Sequence, residues 1–105
     1  MQLPAPIIER LLRLSCLHPL TRVQFRLPDA SDFYVILPPS GQDEMVISRF
    51  GQAEDPRLVL EMSERTLDAI LSGTLSARHA FLLGDLRYTG DRDLAAALAD
   101  LFPAA

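Results

Sequence analysis

Residues 58–102 read LVLEMSERTLDAILSGTLSARHAFLLGDLRYTGDRDLAAALADLF, a run in which strand and helix signals alternate between clear stops. Arg57 to Met62 is a short apolar run of strand length. Ser63 then suits an N-cap for a helix through Leu71, with Leu67, Ile70 and Leu71 on one side and Gly73 closing it. Ser76 to Leu83 makes a second short helix, ended by Gly84. Asp85 to Thr89 reads as a strand that stops at Gly90. The last helix, Asp91 to Phe102, carries Leu94, Ala97, Leu98, Leu101 and Phe102 at i, i+3, i+4, i+7 and i+8. Asp91 and Asp93 fall in its first turn, where carboxylates meet the positive end of the helix dipole, and Pro103 ends it.

Upstream, the strand signal dominates. Thr21 to Leu27 alternates, with Val23, Phe25 and Leu27 on one face and Arg22, Gln24 and Arg26 on the other. After a turn cluster at Pro28 to Ser31, Asp32 to Leu37 is apolar on both faces, as in a strand covered on both sides. Pro38-Pro39-Ser40-Gly41 is a second turn, Glu44 to Phe50 a third strand, and Gly51 to Pro56 a polar loop. The short connections favour an antiparallel meander. At the start, Ile7, Ile8, Leu11, Leu12 and Leu14 form one stripe of a helix over 4–17, which His18-Pro19 stops. The expected fold is α+β: a five-stranded, mostly antiparallel sheet with helices packed on one face. Residues 1–105 are expected to form a single domain, with 1–20 as an N-terminal helical region.

At 105 residues such a chain buries roughly two-thirds of the surface that its unfolded form exposes. A single cysteine, Cys16, rules out an internal disulfide and fits a reducing compartment. Every one of the ten basic residues is arginine, and the net charge of −4 argues against a nucleic-acid partner. The charge is uneven. Residues 1–26 carry four arginines against Glu9, which suits contact with anionic lipid headgroups or an acidic partner and equally a solvated helix face. The apolar stretch Ile7 to Leu20 is broken by charges and too short to span a bilayer. These features point to the cytoplasm.

Reactive chemistry is hard to find. The five glycines form no phosphate-cradling loop, and His18 and His79 belong to no metal-ligand spacing. Asp91 and Asp93 are accounted for by helix capping. No catalytic residue, metal or cofactor is therefore expected. What stands out is the apolar content: hydrophobic residues make up 49% of the chain, and one sheet can cover only part of them. A packed core and a lipid tunnel use the same residue types.

The stretch 58–102 resembles the C-terminal half of the sterol carrier protein type 2 family. The matching positions are Ser72, Gly73, Leu75, Ala80, Phe81, Gly84, Leu86, Gly90 and Leu94, in the family's order. The run from Val23 to Asp29, followed by Phe33 to Leu37 and Gly41, is similar to its opening strands, so the likeness covers about residues 21–102. The N-terminal helical region is short for the family, which implies a tunnel wall that is thin or supplied by a partner. The Pro-Ala-Ala ending, which is no peroxisomal signal, favours a bacterial stand-alone type. The resemblance implies lipid binding and transfer without catalysis, in a hydrophobic tunnel between the sheet and the later helices. Candidate lining residues are Val35, Leu37, Leu71, Leu75, Phe81, Leu94, Leu98 and Phe102. The implied ligand is a fatty acyl chain, phospholipid, sterol-like lipid or isoprenoid, with a transient membrane surface or enzyme as partner. The alternative is a ligand-free interaction module, such as an accessory subunit of a lipid- or quinone-modifying assembly.

Overall fold

The computed structural model describes residues 5–15, 20–38 and 46–103. The expectations placed on Pro4, on Cys16 to Pro19, on Pro39 to Gly41 and on a third strand starting at Glu44 lie outside them. The described residues form α1 (Ala5–Ser15), β1 (Arg22–Arg26), β2 (Phe33–Ile36), β3 (Ile47–Phe50) and β4 (Leu58–Met62). They continue with α2 (Glu64–Ser72), α3 (Ala77–Leu83), β5 (Leu86–Gly90) and α4 (Arg92–Asp100). No helix among them is long and apolar enough to cross a membrane.

The local signals act as the sequence suggests. Ser63 accepts a hydrogen bond from the Thr66 amide at 3.1 Å, Ser76 from His79 at 3.0 Å and Asp91 from Leu94 at 3.0 Å. Each satisfies one amide that a helix start leaves without an intrahelical partner. Ser76 and Asp91 are thus caps just outside α3 and α4. Helices α2 and α3 end at Gly73 and Gly84, both at φ 82°. Gly90 has the strictest requirement. At φ 117° it closes β5, and a Cβ there would overlap the carbonyl of Arg57, the residue just before β4. Arg57 Nε also lies 3.3 Å from the Asp91 carboxylate, tying the start of β4 to the cap of α4.

The strands assemble in the order β3-β2-β1-β4-β5. Three pairings are antiparallel and one, β1 with β4, is parallel, with Val23 opposite Leu58 and Arg26 opposite Glu61. The meander therefore stops at β3. Strand β3 ends level with Phe33, at the same end of the sheet as Arg26, whereas β4 begins level with Val23 at the other. Residues 51–57 must cross two strands to join them. Three strand spacings of about 4.8 Å and a two-residue offset make that diagonal about 16 Å. Seven residues can span it without being fully extended, and a helix at about 1.5 Å per residue cannot.

A buried glutamine holds this crossing segment. Gln24 is 1% exposed, on the sheet face opposite Val23 and Phe25. Its Nε2 donates to the carbonyls of Gly51 and Phe33, both at 3.0 Å, and its Oε1 accepts from the Ala53 amide at 2.7 Å. The ends of the segment are pinned as well. The Gly51 amide donates to the Asp32 carbonyl, the Arg57 amide to the Arg22 carbonyl, and Arg22 Nη1 to the Glu54 carbonyl.

The other sheet face carries the core. Val23, Phe33, Val35, Leu58, Leu60, Met62 and Leu86 are buried there under Ile7, Leu11 and Leu14 of α1 and the apolar stripes of α2 to α4. Strand β2 departs from expectation, being sealed on this face only. Tyr34 and Ile36 on its other face are half-buried, because the crossing segment is anchored over β1.

Replacing Gln24 with leucine would leave the Ala53 amide and two carbonyls without their partner. Gln24→Leu is expected to lower stability by about 2–4 kcal/mol in urea denaturation. Gln52→Leu, which removes only an exposed hydrogen bond to Asp32, should stay within about 0.5 kcal/mol.

Candidate functional site: an apolar cavity under the helices

The sheet and the helices do not close completely. Phe25 and Phe33 are cross-strand partners whose rings stack 4.6 Å apart at 4°. With Val35, Leu60, Met62 and Leu86 they make one wall of a cavity. Ile7 and Leu11 of α1, with Leu67, Ile70 and Leu71 of α2, form further walls. Ala77 of α3 and Ala95, Leu98, Ala99 and Phe102 complete it. The guanidinium of Arg10 lies 5.8 Å from the Phe102 ring centroid, so this arginine is partly engaged by the cavity wall on its way to solvent.

Every lining residue is apolar. A water inside finds no side-chain partner, and a bound polar group finds none either. The arrangement suits a hydrocarbon chain. Its present size is small: about 60 Å³ in which the centre of a water molecule can move. A single water needs about 10–15 Å³ on this measure. The cavity is thus a seam that side chains must widen before a long chain fits.

Of the eight candidates from the sequence, Val35, Leu71, Leu98 and Phe102 stand on the cavity wall. Leu37, Leu75, Phe81 and Leu94 do not. Leu37 is fully buried but lies one alternate position beyond Val35, where its amide bonds the Thr21 carbonyl. Leu94, fully buried, sits one turn before Leu98 in close-packed core. Leu75 packs half-buried against the core from the connection between α2 and α3. Phe81 is 49% exposed on the outer side of α3, its ring 5.5 Å from that of Tyr88.

The sequence pattern of the SCP-2 sterol transfer family matches residues 11–103. The chain belongs to that family. No curated protein matches it significantly by sequence. Among solved structures, it resembles the stereoselective inverting sec-alkylsulfatase of Pseudomonas sp. with a TM-score of 0.67 and 17% identity. The match covers 90% of this chain but only 14% of the enzyme. The palmitated SCP2-like protein of Aedes aegypti matches over 96% of this chain and 95% of its own, with a TM-score of 0.66 and 24% identity. A ubiquinone synthesis protein with an SCP2 domain matches over 93% and 74%, at a TM-score of 0.62 and 11% identity. Likenesses at these identities speak for the fold.

In this family member pattern reading passed over the sheet row Phe25, Phe33, Leu60, Met62 and Leu86, the α1 and α2 positions Ile7, Leu11, Leu67 and Ile70, and three small residues. Ala77, Ala95 and Ala99 face the sheet where leucines would fill the space. A helical stripe that drops from leucine to alanine against an aromatic sheet row is the signal that could have located the cavity.

Leu94 and Leu98 provide a direct comparison. Leu94→Ala, in close-packed surroundings, should cost about 3–5 kcal/mol, and Leu98→Ala, already facing free space, about 2–3 kcal/mol. Urea denaturation of the two variants side by side measures the difference.

Proposed function

We propose that the protein binds and transfers a long-chain lipid, taking the hydrocarbon chain into the cavity between the sheet and α1, α2 and α4. The observation that carries this reading is a partly open cavity lined by apolar residues in a member of a sterol transfer family. Its lining offers no nucleophile, acid or base to a bound chain, so binding and release make and break no bond. The neighbour solved in palmitated form, matching end to end at 24% identity, supports a fatty acyl ligand. The same reading places the carrier in the cytoplasm, with a membrane or a lipid-handling enzyme as donor and acceptor. Leu37, Leu75, Phe81 and Leu94 then support the walls or the approach to them.

The energetics set a condition. Because the cavity is far smaller than the roughly 300–1,000 Å³ of typical ligand clefts, binding must spread the helices from the sheet. The chain is repaid by burial at about 0.8 kcal/mol per methylene. Affinity should therefore climb with chain length until the cavity is full. A ligand-free interaction module would have no use for this seam.

Hexadecanoic acid is expected to bind saturably at micromolar Kd or tighter, about −8 kcal/mol, in a fluorescence displacement titration. Leu98→Trp, which places an indole in the cavity, should unfold within about 1 kcal/mol of the unsubstituted protein and lose that binding. A folded Leu98→Trp variant that binds as before would contradict the assignment of the chain to this cavity.

A further inference from the structure

Next to the cavity, α3, β5 and α4 frame an open groove of about 350 Å³. Phe81, Leu82 and Tyr88 form its outer walls, and Ala96 its floor on α4. Phe81 and Leu82 are 49% and 82% exposed, an apolar lip presented to solvent. Leu60, Leu86, Ala95 and Ala99 border both the groove and the cavity. The two spaces are therefore separated by one layer of side chains, and two of those four contribute only a methyl group. Leu60 and Leu86 are buried, at 5% and 8% exposed, so joining the two spaces requires these two side chains to change rotamer within the packed layer.

The charged residues lining the groove are Arg78 and Arg92, and both are cations. Arg78 is shared with Asp100, to which its Nε donates at 2.9 Å. Arg92, the first residue of α4, is exposed and has no carboxylate partner among the described residues. An apolar groove with a cationic rim, one side-chain layer from an apolar cavity, matches an amphiphile with one alkyl chain and one anionic head.

Resting on the carrier reading, we infer that this groove is the entrance to the cavity and the seat of the ligand's head. The ligand is a single-chain lipid whose carboxylate or phosphate is held at Arg92, beside Arg78. Its chain passes between Leu60 and Leu86 into the cavity. Arg92 then sets the preference for acids over neutral lipids of equal length.

The test compares hexadecanoic acid, hexadecyl phosphate and 1-hexadecanol on the full chain at low salt. The unsubstituted protein should favour both anions over the alcohol, and the tighter of the two identifies the head as carboxylate or phosphate. Arg92→Gln should weaken the anions roughly fivefold, the size of an exposed charge pair, and leave the alcohol unchanged. Arg92→Lys should restore the preference. Ala96→Trp, at an exposed position that lines the groove and not the cavity, should slow association several-fold without altering the urea midpoint. If all three lipids bind and Arg92→Gln leaves the acid-to-alcohol ratio unchanged, the head seat is overturned while the carrier reading stands. If none of the three binds to folded protein, the carrier reading falls and takes this inference with it.

Discussion

A single buried carboxamide fixes the path of the whole chain. The segment 51–57 has to carry β3 across the sheet so that β4 can lie parallel to β1. It is a polar, bent stretch, with Gly51 and Asp55 at positive φ, and has no stripe of its own to bury. Gln24 gives it what it lacks, with two hydrogen bonds of 3.0 Å or shorter to the backbone of Gly51 and Ala53, while a third to the Phe33 carbonyl ties the carboxamide to β2. In a low-dielectric setting such bonds are strong, and leaving any of them unmade is costly. Once β4 stands next to β1, the remaining elements follow. Helix α2 leaves its end through the Ser63 cap. Strand β5 pairs with it from Met62 back to Leu58, and α4 starts at the Gly90 turn against Arg57.

The same arrangement determines where empty space remains. Helices α3 and α4 present alanines to a sheet row built from Phe25, Phe33 and Leu60, and flat stacked rings cannot reach up to fill the gap. At about 24 cal/mol per Å³ of cavity, about 60 Å³ of unfilled volume costs roughly 1.4 kcal/mol. That is a sizeable part of the stability of a small domain. Larger residues at Ala77, Ala95 or Ala99 would recover it by ordinary cavity filling. The lipid-carrier reading supplies a reason for leaving the space open: a seam already free of polar groups needs no water stripped from it when a chain enters.

Local features were legible in the sequence, and relations between distant elements were not. Ser63, Gly73, Gly84, Gly90 and the heptad-like spacing from Leu94 to Phe102 each act within a few residues, and so each is visible in a short window. The parallel pairing of β1 with β4 depends on where residues 51–57 travel, and a polar loop gives no direction. Gln24 alternates with Val23 and Phe25 like any solvent-facing residue. Nothing in β1 tells that a later segment will bury it. For the site, periodicity identified the faces that meet but not the level at which they part. Val35 and Leu98 therefore stand on the cavity wall, while Leu37 and Leu94, on the same faces one step away, are buried in packed core. Phe81 belonged to a family motif, and its motif position carried no information on which side of α3 it occupies.

The central claim is that the seam between sheet and helices opens to receive a lipid chain. Intermolecular nuclear Overhauser effects between the methylenes of bound hexadecanoic acid and the protein's methyl groups test it most directly. The account expects contacts from the middle of the chain to the methyls of Val35, Leu60, Leu71 and Leu98, which face the cavity from β2, β4, α2 and α4. Contacts confined to Leu82 and Leu83 on the exposed side of α3, with none to those four, would contradict it.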